Sequence, residues 1–113
     1  MDFALTEEQF MIQRLARDFA VQEIEPLAVQ IDKEDKVPAP LSKKMADLGF
    51  FGMTIPRKYG GTEVGDLSCI LALEQLGYAG CGAWWLAGMN NSVVECVYTV
   101  SYTHLTLPTI YSV

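Results

Sequence analysis

Few residues of this sequence have the chemistry of a catalytic group, and they are widely separated. Glu74 lies in the middle of an apolar stretch, where a carboxylate could act as a general base. A glutamate at the edge of a core or in solvent is the commoner situation, and both interpretations stay open at this point. His104 is the sole histidine, and no neighbouring residue of the sequence would orient it as a catalytic group.

The cysteines and the paired glycines favour structural roles over metal or phosphate binding. Cys69, Cys81 and Cys96 are an odd number without paired spacing, which is typical of free thiols in a reducing compartment. Gly60–Gly61 indicates a fixed turn with a positive φ. The turn lacks the Lys-Ser/Thr of a P-loop and no strand precedes it, so we expect neither a phosphate site nor a metal site.

The stretch that must position any ligand-binding residue is 82–97, GAWWLAGMNNSVVECV, which carries a single charge. If this stretch is a helix, one stripe of it carries three large apolar residues, Trp85, Met89 and Val93. Two more, Trp84 and Leu86, flank that stripe. The opposite side carries alanine and glycine. A helix apolar nearly all round is expected in the middle of a protein, wrapped by the rest of the chain. On residue types alone, core packing is a commoner role than ligand binding.

Three further segments have the apolar spacing of helices. The first covers about 7–32, begins with a capping box at Thr6, and should kink near Pro26. The second covers about 40–48, and the third covers 67–78. No internal repeat and no alternating strand pattern occurs in these segments. The sequence therefore predicts an all-α fold, an up-and-down bundle of about four helices.

Composition argues against several kinds of partner. The 113 residues are half hydrophobic and carry a formal net charge of −6. Nucleic acids and anionic membranes attract basic patches, so we expect neither as a partner. The N-terminus, MDFALTEEQF, lacks both the basic and the apolar part of a secretory signal. We expect one helical core and a cytoplasmic location.

Five short motifs follow one another along the chain: MDFALTEEQ, EIEPLA, LGFFG, IPRKYGG and MNNS. In this order and spacing they resemble the N-terminal helical domain of the flavin-dependent acyl-CoA dehydrogenases, from Met1 to about Tyr98. The resemblance implies a full-length enzyme that uses FAD to oxidise the Cα–Cβ bond of an acyl-CoA substrate. It also implies electron transfer to an electron-transfer flavoprotein and, typically, a homotetramer.

The resemblance also implies a role for the helix that carries MNNS, which forms part of the acyl pocket in this family. Carried over by position, the substrate-binding residues are Trp85, Leu86 and Met89, with Val93 one turn further. The adjacent tryptophans depart from the smaller side chains of the family pattern and point to a short or branched acyl group.

The family's catalytic glutamate and flavin-binding regions lie downstream, so neither Glu74 nor Glu95 is expected to be the base. No catalytic or cofactor-binding residue is assigned, and the chain alone is expected to be inactive and not to hold FAD.

Residues 100–113, VSYTHLTLPTIYSV, do not continue the helical pattern. They contain no charged side chain and are rich in threonine, tyrosine and β-branched residues, which is strand-like chemistry. We expect 1–99 to be the N-terminal domain of a truncated acyl-CoA dehydrogenase and 100–113 to be a non-native tail. The alternative is a stand-alone helical module without catalysis, which would bind a partner through an exposed apolar surface.

Overall fold

The computed structural model describes residues 3–111, with side chains as far as residue 101, and no strand occurs among them. This confirms the predicted all-α fold. The first helix of the predicted bundle is interrupted in its second half, so it contains two α-helical segments. The α-helices are α1 (Glu7–Phe19), α2 (Ala28–Glu34), α3 (Ala39–Asp47), α4 (Asp66–Gly77) and α5 (Ala83–Tyr111).

α1 begins at the predicted capping box. The Gln9 N–H donates to Thr6 Oγ1 at 3.2 Å, and the Thr6 N–H donates to Gln9 Oε1 at 2.9 Å. These two bonds satisfy N–H groups that have no partner within the helix. Glu7 and Glu8 lie in the first turn, where the helix dipole favours negative charge.

The predicted kink near Pro26 consists of two changes in the hydrogen-bond pattern. Ala20–Ile24 forms a π-helical turn, and Glu25–Leu27 forms a 3₁₀ turn that contains Pro26. Because Pro26 has no N–H to donate, the α-helical ladder cannot run through it, and the wider turn before it absorbs the mismatch. α2 then resumes the helix and ends at Asp35, whose φ of 52° is left-handed.

The core lies mainly between α1 and α4. Ala16 of α1, Ala20 directly after α1 and Ala72 of α4 are buried, and their small side chains let the helices approach closely. Phe19 packs at a tilt against Phe50, with ring centroids 5.6 Å apart. The connection that follows α3 therefore contributes directly to this core.

α3 is closed by a glycine, Gly49, which follows the C-cap residue Leu48. The Phe50 N–H donates to the Met45 carbonyl at 3.1 Å, and the Gly49 N–H donates to the Ala46 carbonyl at 3.0 Å. This pair of bonds is a Schellman motif, in which the glycine takes a left-handed conformation, here with a φ of 87°. The motif turns the chain so that Phe50 enters the core.

The chain turns back at Gly60–Gly61, where the two glycines meet different constraints. Gly60 has a φ of 90°. A Cβ on Gly61 would collide with the backbone of Ile55, including its carbonyl oxygen. The Thr62 N–H then donates to the Gly52 carbonyl at 2.8 Å and closes the loop. The expected positive φ is present at the first glycine, whereas the second is required for close approach.

α5 does not lie in the middle of the protein, and that expectation was wrong. Its buried stripe consists of Ala83, Ala87 and Asn91, whereas Trp85 and Met89 on the other side are exposed. The small residues allow α5 to approach the rest of the chain closely. Because apolar residues occur on all sides of this helix, its hydrophobic periodicity could not indicate which side is buried.

The strand-like character expected for residues 100–111 is also corrected, because α5 continues to Tyr111. Once a helix has formed, each further residue adds one backbone hydrogen bond, and a weak strand preference is easily overridden. Residues 112–113 lie outside the described part of the chain. The non-native origin of 100–113 stays a prediction. Long as α5 is, no helix among the described residues has the apolar length needed to cross a membrane.

We expect Gly61→Ala to lower the free energy of unfolding by more than about 1 kcal/mol, because the added methyl group would push against the Ile55 backbone. Gly77→Ala is the matched control. Gly77 ends α4 with open space around it, so alanine there should raise stability by roughly 0.5–1 kcal/mol. Denaturant unfolding followed by circular dichroism measures both values. Equal stability of the two variants would contradict the close approach at Gly61.

Candidate functional site

The structure places three of the four predicted site residues on the outer side of α5. Trp85, Met89 and Val93 form an exposed stripe, with 54%, 39% and 46% of their surface accessible. Leu86 is partly buried and packs against the core. We call the exposed stripe together with Trp84 the tryptophan face. It is an apolar surface that projects away from the core.

The two tryptophans contact each other at the start of the tryptophan face. Their ring centroids are 5.2 Å apart and their planes are inclined at 83°, an edge-to-face arrangement. Trp84 also lies over Gly88, since a Cβ added at Gly88 would be 3.4 Å from Trp84 Cζ3. The face therefore begins with a packed aromatic pair rather than with two independent side chains.

Asn91 holds the opposite side of α5 against the connection that follows α3. Its Oδ1 accepts a hydrogen bond from the Met53 N–H at 2.7 Å, and its Nδ2 donates to the Phe50 carbonyl at 2.6 Å. Nδ2 also donates to the Ala87 carbonyl one turn earlier, at 2.7 Å. Asn91 is only 3% exposed, so these bonds form away from water, where an unpaired polar group would be costly. We call this set of bonds the Asn91 clamp.

A second contact between α5 and the same connection lies one turn beyond the clamp. Thr54 Oγ1 donates to Glu95 Oε2 at 3.0 Å. This bond gives Glu95 a structural partner in the connection that follows α3. Together with the Asn91 clamp, it fixes both the depth and the rotation of α5.

A cleft of about 210 Å³ lies between α4 and α5. Its lining includes Cys69 and Ile70 of α4 and Gly88, Ser92 and Glu95 of α5. Burial first, and then the negative charges of Glu95 and Asp66, raise the pKa of the Cys69 thiol to about 11. The thiol is therefore protonated at neutral pH, and Cys69 has none of the thiolate character of a catalytic cysteine.

The paired glycines and Glu74 also lack the surroundings of a reactive site, and the side chain of His104 lies outside the described ones. The Gly60 and Gly61 N–H groups donate to the Arg57 and Pro56 carbonyls, at 3.0 Å and 3.2 Å, so neither is free to hold a phosphate. Glu74 is exposed on α4, as the solvated interpretation held. In the part of the chain that the structure describes, no cluster of three or more His, Cys, Asp or Glu residues could hold a metal ion.

The Asn91 clamp is the feature that sequence reasoning missed. As a sequence, MNNS indicates only a resemblance, and the large apolar residues of the helix give no sign of a buried amide. A usable signal was present, because Asn91 continues the small-residue stripe at the spacing Ala83, Ala87, Asn91. An amide on a stripe that packs against another segment must find partners there, and the connection after α3 offers backbone groups.

The chain matches the family model for the acyl-CoA dehydrogenase N-terminal domain over residues 6–102. It is 47% identical over 77 residues to acryloyl-CoA reductase (NADH) of Anaerotignum propionicum, covering 68% of this chain and 20% of the relative. It is 40% identical to 3-(aryl)acrylate reductase of Clostridium sporogenes, covering 76% of this chain and 23% of the relative. It is also 40% identical to the short-chain specific acyl-CoA dehydrogenase of Clostridium acetobutylicum, covering 67% and 20%. The chain thus spans about a fifth of the length of such relatives.

A solved structure has the same helical arrangement. A chain in the structure of the electron transferring flavoprotein of Acidaminococcus fermentans superposes with a TM-score of 0.71 at 38% identity. The match covers 77% of this chain and 23% of that chain. The fold and the sequence similarity therefore agree, and each covers about a fifth of the proteins that it matches.

We expect Asn91→Ala to lower the free energy of unfolding by about 2–4 kcal/mol, because it leaves the Met53 N–H and the Phe50 carbonyl buried without their partner. Asn90→Ala is the matched control, since Asn90 only donates to Leu86 of its own helix. Its cost should stay below about 1 kcal/mol. Thermal and denaturant unfolding of both variants measures the difference. Similar losses for the two asparagines would contradict the clamp.

We expect Cys96, which is exposed, to react first with an aromatic disulfide reagent, and buried Cys69 and Cys81 to react only on unfolding. Cys96→Ser should remove the fast phase.

Because the folded pKa of Cys69 lies above its ordinary value of 9.0, folding stability should fall as pH rises from there towards about 11. Cys69→Ala should flatten that alkaline fall. Fast labelling of Cys69 in the folded chain would contradict its burial.

Proposed function

This chain belongs to the acyl-CoA dehydrogenase family, whose N-terminal domain it matches, and we propose that the tryptophan face is one wall of the pocket for the acyl group. The reaction we propose for the complete enzyme is α,β-desaturation of an acyl-CoA with a short or branched acyl chain. The observation that carries the proposal is the outward direction of Trp85, Met89 and Val93 on a helix that the Asn91 clamp anchors from its other side.

The tryptophan face has the physical properties that an acyl chain requires. Its residues are apolar, and covering apolar surface contributes roughly 25 cal/mol for each Å² removed from water. Exposed apolar residues that are contiguous and rest on a fixed helix are typical of a surface that another group covers. Leu86 is partly buried, so only the outer part of its side chain can contribute to the wall. The bulk of Trp85 favours a short or branched acyl group over a long one.

The chemical groups that act on the substrate are assigned to other parts of the complete enzyme. Removal of a proton α to a thioester needs a carboxylate base beside the substrate. Glu74 is exposed on α4, and Glu95 is held by a hydrogen bond from Thr54 Oγ1, so neither is proposed as the base. FAD, when bound in the complete enzyme, supplies an acceptor for the hydride from the β-carbon. The chain by itself is proposed neither to hold FAD nor to oxidise an acyl-CoA.

The proposed partners follow from the family. We propose that the complete enzyme passes electrons to an electron-transfer flavoprotein and assembles as a homotetramer. Support for the first partner is the similarity to a chain found in an electron transferring flavoprotein structure. The chain itself contributes helix surfaces to domain and subunit packing in this proposal.

A second candidate is the same bond chemistry in the reducing direction. Two of the similar proteins are named as reductases of an acryloyl-CoA and of an aryl acrylate. A wall that holds the carbon chain serves both directions, because the same Cα–Cβ bond gains or loses hydrogen. An acryloyl group is short, which suits a pocket limited by Trp85. Assays of both directions on short substrates separate the two candidates.

A stand-alone interaction module is the alternative outside catalysis. In that case, the tryptophan face would bind another protein instead of an acyl group. The two functions differ in what Trp85 does, because an acyl pocket measures chain length whereas a protein-binding face does not. The test therefore depends on how activity varies with acyl length.

We expect Trp85→Ala to shift substrate preference towards longer acyl chains in an enzyme made by joining residues 1–97 to the remaining domains of an active relative. Each added methylene that gains contact should contribute roughly 1 kcal/mol to transition-state binding, and several together amount to tenfold or more in kcat/KM. The short substrate should lose activity because it loses contact with the indole. The measurement is the ratio of long-chain to short-chain kcat/KM.

Trp85→Phe is the matched control, since it keeps an aromatic ring and should leave the ratio near its original value. Both variants are compared at a temperature where each remains folded. Equal loss on every chain length would indicate that Trp85 only stabilises the fold. An unchanged ratio would remove the pocket proposal and favour the interaction module.

A further inference from the structure

We propose that Trp84 is a positioning residue, which holds the indole of Trp85 in one orientation and so sets the acyl length that the wall accepts. The inference rests on the proposed function of the tryptophan face. It gives Trp84 a separate role within that face, and it brings in Gly88, which the proposed function does not use. The geometry of three neighbouring residues carries it.

The contact between the two tryptophans is not a default of helix geometry. Successive side chains on a helix point about 100° apart, so residues i and i+1 do not normally face each other. Here the ring centroids nevertheless lie 5.2 Å apart, with planes inclined at 83°. That arrangement brings the positive edge of one ring to the negative face of the other, which is an attractive geometry. Side chains that merely share a helix would not need to adopt it.

Gly88 provides the place where Trp84 lies. The Trp84 ring passes over the helix surface at the i+4 position, and a Cβ there would lie 3.4 Å and 3.6 Å from two of its carbon atoms. Those distances are ordinary van der Waals contacts, so alanine fits but a branched side chain would take the place of the ring. Trp84 is thus supported from below by the helix and is in turn available to support Trp85.

Trp85 needs such support because more than half of its surface is accessible. An exposed side chain samples several staggered rotamers unless a neighbour restricts it. A mobile indole would yield to a longer acyl chain, whereas an indole held in one rotamer presents a fixed boundary. Selectivity for chain length therefore depends on Trp84 even though Trp85 is the residue in the proposed wall.

The full 113-residue chain allows a direct spectroscopic test, since Trp84 and Trp85 are its two tryptophans. The unmodified chain should show the paired circular dichroism bands of two coupled indoles at a fixed angle. Trp84→Leu should then raise the mobility of Trp85, which is measured by its fluorescence anisotropy. The population of Trp85 in its one preferred rotamer, relative to its other rotamers, should fall by about two- to tenfold. Trp84→Phe should retain the order, because it keeps an aromatic edge.

Gly88→Ala is a further control that should keep both the coupled bands and the order of Trp85. Absence of coupled bands in the unmodified chain, or equal mobility of Trp85 in the leucine and phenylalanine variants, would overturn the inference. Thermal unfolding of each variant verifies that the comparison is between folded chains. Trp84 is partly exposed, so its replacement should leave the core intact.

Substrate selectivity in the joined enzyme separates this inference from the proposed function. Trp84→Leu should shift the ratio of long-chain to short-chain kcat/KM in the same direction as Trp85→Ala, by about two- to tenfold, and Trp84→Phe should not. A shift with Trp85→Ala but none with Trp84→Leu would overturn the positioning role and leave the pocket proposal intact. No shift with Trp85→Ala would overturn the pocket proposal, and with it the role of Trp84 in acyl length.

Discussion

The side-chain amide of Asn91 is the interaction on which the rest of this structure depends. The connection between α3 and α4 has little regular structure, so its backbone groups need partners from elsewhere. Asn91 supplies an acceptor for Met53 and a donor for Phe50, and it is tied to its own helix through Ala87. Because a helix is stiff, holding one buried residue fixes the rotation of the whole of α5. The outward direction of the tryptophan face is a consequence of that rotation.

A surface helix usually buries its large apolar residues, and α5 has the opposite arrangement. Its small residues, Ala83 and Ala87, are buried, and its largest, Trp85, is exposed. The small residues on the buried side let α5 come close to the connection after α3. The short hydrogen bonds of the Asn91 clamp require that close contact. The large apolar residues are then free to contact something other than this domain's own core. That division is compatible with the proposed role of the tryptophan face as a wall for an acyl group.

The same wall is compatible with desaturation and with reduction. A surface that contacts the carbon chain recognises its length and shape, and these hardly change when one bond gains or loses two hydrogens. The direction of the reaction depends on the hydride donor or acceptor and on the partner that exchanges electrons with it. Related proteins named as dehydrogenases and as reductases can therefore share this domain. In the proposed wall, the packing of Trp84 against Trp85 is the contact that would set the shape of the pocket.

The sequence by itself determined the helices and several of their ends. The capping box at Thr6, the break near Pro26 and the glycine stop at Gly49 depend on local backbone chemistry, so a sequence pattern can predict them. Only the tertiary structure decided which side of α5 is buried, because apolar residues surround that helix and periodicity favours no side. It also decided that residues 100–111 extend α5, since helix propagation outweighed a weak strand preference. The Asn91 clamp was likewise decided only by the tertiary structure, because its partners are distant in sequence and meet only when the chain has folded.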